Sequence, residues 1–326
     1  MKFNLPFKNE NNSYVGLTPF LTTVLLLLIH FSTGALDWPE KGDIRAQRDF
    51  NSAIGMSVIT GYFWFAMRLM HQNVANTLTY VLLKSNKLNE FGAHRKNLAL
   101  QLNRQIFNAM IISIIITIAY CISEGLISTQ QEVHVLLLTA TAVPFWFIAF
   151  LFIFQIYSTT AYLTNQVLTK TDFGYDRLRS IVTILRHSIS NSIFAMGALA
   201  IFPVFWLKKE IPSLDVLGVT FFTGFISLYL FFPVIKLNKK LKEEKCKTLQ
   251  GIESEINSDI RRYAKNDKQV TGASIEALES EREEILKLTY TLSSKDKVRV
   301  AACIAIIPVS WLVLFVTEWM IELINR

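Results

Sequence analysis

Apolar residues in this chain gather into long unbroken blocks rather than alternating as in a strand. Seven stretches stand out: 17–36, 53–72, 106–127, 134–157, 190–207, 216–235 and 299–321. Each approaches the roughly 20 apolar residues a helix needs to cross a bilayer core, so each predicts a spanning helix. The fifth is the shortest and lies close to Arg186 and His187, which calls for snorkelling or local thinning. Arg68 falls near the end of the second, where a long side chain reaches the headgroups.

The pattern changes at LYLFFPVIKLNKKLKEEKCK, residues 228–247. Up to Ile235 the segment suits hydrocarbon, and from Lys236 on six of twelve residues are lysine. Beyond it Leu249, Ile252, Ile256, Ile260 and Tyr263 recur at spacings of three and four with charge between them. That spacing predicts an amphipathic helix over 237–266. NDKQVTG (266–272) is a turn-like cluster. Ser274 can cap a second helix with Glu276 in its first turn, and Ile275, Leu278, Ile285, Leu288 and Leu292 share one face of it. Two such helices form an antiparallel hairpin, ended by SSKDK at 293–297.

The expected organisation is therefore an all-α polytopic membrane protein. Residues 1–235 supply six transmembrane helices with extensions, 236–297 an amphipathic hairpin, and 298–326 a seventh helix. Segments 73–83, 159–168 and 176–185 continue the apolar blocks and give the hairpin stripes something to bury against. A helical stalk follows; the other reading lays these segments flat on the headgroups.

Composition agrees. Apolar residues make up 51% and charged residues only 18%, against about 25% in ordinary globular chains. Mean hydropathy is +0.33.

Charge then orients the blocks. Threaded seven times, the chain places 26 Lys and Arg in segments 1–16, 73–105, 158–189 and 236–299, and six in the alternate set. Without the long last loop the count is still 11 against six. Positive charge is retained inside, so the N-terminus is expected in the cytoplasm and the C-terminus outside, in a multi-pass protein of the cell membrane. Trp38, Trp206 and Trp319 fall near the outer ends, as an interfacial belt would place them. The net charge of +7 then needs no nucleic acid; a basic inner face suits anionic headgroups. The first 35 residues also resemble a signal peptide, but their polar start is long for one, which favours an uncleaved first helix.

No catalytic constellation appears, so an enzyme is not expected, nor a cofactor or a metal. Cys121, Cys246 and Cys303 lack CxxC spacing, and the five histidines have no ligand-like partners at i,i+3 or i,i+4. DFG at 172–174 stands without the rest of the kinase set.

Intramembrane charge is sparse. Glu318 and Glu322 share a face near the outer end of the last block, where a ring of copies would draw cations to a vestibule. With Pro308, the best position for a kink, and Trp311, they are the candidate pore or gate residues. Pro144, Pro203 and Pro233 are expected to free carbonyls in other helices. AIFPVFWL (200–207) and AIIPVSWL (305–312) match at six of eight positions, a coincidence of an apolar alphabet rather than a repeat.

In topology this plan resembles the insect odorant and gustatory receptor channels. Those have seven helices, an inward N-terminus, cytosolic helix extensions and a cytosolic helix before the last span. The segments 273–292 and 298–322 have that form, but the family's seventh-helix Thr-Tyr and Gln-Phe motif is absent, and no residue roles carry over.

An oligomeric ion channel or membrane-permeabilising effector, controlled through the cytoplasmic helices, is the leading expectation. A non-conducting sensor or scaffold docking a cytosolic protein through 237–297 is the alternative, and a secondary transporter the third. Leu249, Ile252, Ile256, Ile260, Ile275, Leu278, Ile285 and Leu288 are the candidate face for self-association or docking.

Overall fold

A computed structural model describes residues 16–40, 42–123, 132–170, 174–207, 213–263, 272–288 and 294–324. Among these residues the secondary structure is helical, with no strand. The α-helices are α1 (Leu17–Ser32), α2 (Ile44–Lys84), α3 (Phe91–Ser123), α4 (Val133–Tyr162), α5 (Tyr175–Leu199), α6 (Ser213–Tyr263), α7 (Gly272–Lys287) and α8 (Ser294–Ile324).

Among the described residues four helical segments are long and apolar enough to cross a membrane: Ile44–Lys84, Leu88–Ile122, Val133–Val167 and Tyr175–Trp206. Leu17–Ser32 and Val309–Met320 are apolar but shorter. Several apolar blocks are interior parts of longer helices. At 1.5 Å per residue α2 is about 60 Å long and α6 about 75 Å, well beyond a hydrocarbon core of about 30 Å. The expected extensions of the second, fourth and fifth blocks are continuous helix, the fourth through a π-turn at Leu163–Val167. Asp43 starts α2 by accepting from the Arg45 and Ala46 amides at 3.0 Å, and Asn86 follows its end at φ 53°.

The fifth block departs from expectation. Its helix occupies Tyr175–Leu199 rather than 190–207, and a separate 3-10 helix, Phe202–Trp206, follows. Pro203 sits at the start of that 3-10 helix. It has no N–H to give to the carbonyl four residues back, so α5 ends before it. Pro144 and Pro233 do lie inside α-helices. The AIIPVSWL segment lies within α8, so the two similar octapeptides adopt different conformations.

Cross-helix pairs fix the order of packing. Thr23 beside Gly61 and Arg68 donating to the Thr18 hydroxyl set α1 antiparallel to α2. His71 with Gln155 and Phe63 with Phe152 set α4 parallel to α2. Asn73 with Ser190 and Tyr62 with the Phe194 carbonyl set α5 antiparallel to α2. Arg177 with Glu244 and Ser192 with the Leu230 carbonyl do the same for α6 on α5. Helices α2 and α5 are central; α8 packs chiefly on α5 and the 3-10 helix.

Small residues allow the closest approaches. A Cβ on Gly61 would lie 1.8 Å from Thr23 Oγ1, and one on Gly197 2.0 Å from the Tyr62 hydroxyl. Close backbone approach at small residues is how helices associate where both surroundings and side chains are apolar.

The perimeter is apolar too. Phe107, Met110, Ile111, Ile114, Ile115 and Ile118 stand exposed on α3. Moving each from water to hydrocarbon is worth roughly 1.5–3 kcal/mol, a sum on the scale of a whole domain's stability. A surface of this kind needs lipid or protein against it.

Candidate functional site

The end of the bundle where α2 finishes and α5 begins carries most of the lysines and is called the basic end. There α7 packs along the second half of α6. Arg282 lies 3.4 Å from Glu253, and Lys245 meets the carbonyls of Leu286 and Leu288, so the two helices run antiparallel. Ile252 and Ile285 are buried in the core there, and Leu249, Ile256, Leu278 and Leu288, partly buried, pack against it. Ile275 is half-buried, whereas Ile260 is 48% exposed. The turn at 266–272 falls almost wholly, and Leu292 entirely, outside the described residues.

Two adjacent α6 residues tie this end together. Glu244 accepts from Arg177, in the first turn of α5, at 3.0 Å with both side chains largely buried. Lys245, 1% exposed, reaches the other way, donating to the Leu286 carbonyl at 3.2 Å and to that of Leu288. Burial lowers the Lys245 pKa below the ordinary lysine value. An ammonium so placed must find acceptors. The last carbonyls of α7 offer both lone pairs without intrahelical partners and the negative end of the helix dipole. Sequence reading passed over Lys245 as one of a run of surface lysines. Its signal was register: Leu237, Leu241, Lys245 and Leu249 recur every four residues, so the lysine occupies a core position.

A second polar layer crosses the bundle interior. His71 Nε2 lies 3.2 Å from Gln155 Oε1, and the Gln155 amide donates to Gln105, which joins α2, α4 and α3. Asn73 donates to Ser190 at 3.2 Å, and Ser192 to the Leu230 carbonyl at 2.9 Å. His187 and Asn191 pair at 3.0 Å on α5. Such contacts fix helix register in an apolar setting, each worth about 0.6 kcal/mol on average.

At the far end, Asn51 donates to the carbonyls of Leu207 at 2.8 Å and Phe205 at 3.2 Å, holding the 3-10 helix on α2. His134 lies between Glu132 at 3.2 Å and Asp49 at 3.7 Å. Trp38 is exposed and meets Phe50 edge-on.

Helix α8 carries the candidate pore residues. Trp311 is half-buried against Trp206, ring centroids 5.9 Å apart. Glu318 is half-buried further along, and Trp319 is 63% exposed. The side chains of Pro308 and Glu322 lie outside the described residues, although both positions fall within the bounds of α8. The structure thus brings Trp311 to the bundle.

His94 approaches Glu90, four residues back, at 3.5 Å, an i,i+4 partner of the kind the histidines were expected to lack, and the Tyr162 hydroxyl at 2.8 Å. Among the described residues no group of three or more His, Cys, Asp or Glu could hold a metal ion.

An all-helical bundle with several bilayer-length apolar helices and an apolar perimeter has the character of a membrane protein. No family model matches the sequence, and no similar curated protein or solved structure is found, so the topological likeness to the insect receptor channels stands without a matching relative.

Proposed function

We propose that the chain crosses the membrane seven times, with the basic end in the cytoplasm and the C-terminus outside. Copies associate through α8 to form an ion channel or membrane-permeabilising effector, and the α6–α7 hairpin is its cytoplasmic control element. The observation that carries this reading is the setting of α8. It rests on α5 and the 3-10 helix, and around the rest of its surface Leu312, Val313, Phe315, Val316, Trp319 and Met320 are exposed. Such a helix is available to neighbouring copies as well as to lipid. A ring built on it would set Glu318 and Glu322 around one mouth, where carboxylates favour cations.

Purified protein in liposomes tests the reading. Ion flux is expected, and Glu318→Gln with Glu322→Gln should lower cation-over-anion selectivity several-fold. Absence of flux from protein that is inserted and folded would contradict conduction.

A second reading, a scaffold for a cytosolic partner, is favoured by one feature: Ile260 and Tyr263 stay 48% and 56% exposed at the tip of α6. Under it the liposomes stay tight, and Ile260→Asp with Tyr263→Asp abolishes cellular function.

A further inference from the structure

We propose that Lys245 is a positioning residue: it clasps the last carbonyls of α7 and so sets where α8 begins. The α5–α6–α7 junction is then the joint through which movement of the α6–α7 pair reaches the last helix. This inference does not require the protein to conduct ions.

Three observations converge. First, Lys245 stands in a register of leucines at 1% exposure and takes the Leu286 and Leu288 carbonyls as acceptors. A charge this deep is retained only with partners, and removing the partners leaves it uncompensated. The engaged arrangement therefore differs sharply from a released one, in which the ammonium returns to water. Second, residue 288 is followed by only five residues, 289–293, before α8 starts at Ser294. Where α7 ends therefore limits where α8 can start. Third, the adjoining Glu244 holds Arg177 at the start of α5, and α5 is the helix on which α8 packs. Helix α8 is thus reached from the junction twice, through the chain and through α5.

The end of α7 is closed beside the clasp. The Leu288 amide donates to the carbonyls of Glu284 at 3.1 Å and Ile285 at 3.2 Å, closing the final turn. Helix ends ordinarily fray. Here the ammonium donates to the next carbonyls, those of Leu286 and Leu288, and Ile285 in the same turn is fully buried.

The test compares Lys245→Met with Lys245→Arg in full-length protein. Methionine keeps the apolar stem and loses the charge; arginine keeps the charge and its donors. Two signals are read: hydrogen exchange of amides 284–288, and bismaleimide cross-linking between Trp206→Cys and Trp311→Cys with Cys121, Cys246 and Cys303 replaced by serine. In Lys245→Met, exchange should rise about tenfold, and cross-linking should fall to roughly half or less. Lys245→Arg should stay near the parent in both. A merely space-filling lysine would leave Lys245→Met unchanged in both, which overturns the clasp. Faster exchange with unaltered cross-linking overturns the coupling to α8. Should Lys245→Met fail to fold, amine labelling of the parent protein decides. Lys245 should react at least about tenfold more slowly than the exposed Lys242 and Lys247. Equal rates overturn the clasp.

Discussion

At the scale of single residues, buried polar side chains do the positioning. Asn51 is 1% exposed and joins α2 to two backbone carbonyls of the segment after α5. Asn51→Ala removes the donor to both carbonyls, and among the described residues Gln47 still donates to that of Leu207 at 3.1 Å. A cost of about 1–3 kcal/mol is expected, read as a lower Tm in detergent, with Asn51→Asp intermediate or worse because it loses the amide donors. An unchanged Tm would mean that the 3-10 helix is held by its aromatic contacts alone. Residues of this kind were the least legible from sequence. Nothing local separates Asn51 from an exposed asparagine, and Lys245 was masked by the lysines around it. Its i,i+4 spacing from Leu241 and Leu249 was the one usable sign.

At the scale of elements, block hydropathy located helices well and their ends poorly. The block 53–72 became the interior of a 41-residue helix: its continuation through 73–83 was expected, whereas its start at Ile44, capped by Asp43, lies in polar residues that hydropathy passes over. The fifth block failed for a specific reason. Its apolar letters ran through Pro203, and hydropathy is blind to the missing N–H that ends α5. Periodicity served better along α6 and α7, where Ile252 and Ile285 are buried on the expected stripes. Contacts between elements needed coordinates. Gly61 lets α1 approach α2 where an added Cβ would also come 3.2 Å from the Pro19 carbonyl. Gly61→Ala should destabilise by roughly 1–3 kcal/mol. Thr23→Ala in the same chain should recover part of that, since it removes the nearer clash. Gly92→Ala, with open space around its Cβ, should be neutral or slightly stabilising. Thermal unfolding of the three variants checks the pattern, and a neutral Gly61→Ala would show that the α1–α2 contact is looser than described.

At the scale of the molecule, charge and hydropathy speak to different questions. The apolar perimeter and the four bilayer-length helices give the protein its membrane character. The lysine asymmetry proposes which end faces the cytoplasm, and the proposed odd number of crossings requires α1, α6 and α8 to traverse the bilayer as well. Helix α1 is packed into the bundle, with His30 fully buried, and α6 runs unbroken from the apolar block into the lysine-rich segment. The proposed carboxylate mouth and the proposed control role of the α6–α7 pair depend on that placement. Accessibility of the two chain ends in intact cells tests it most directly. A tag fused after Arg326 should react with an impermeant reagent while a tag before Met1 reacts only after permeabilisation. If both tags are protected, or both are reached, the number of crossings is even and α8 does not lead from the basic end to the outside.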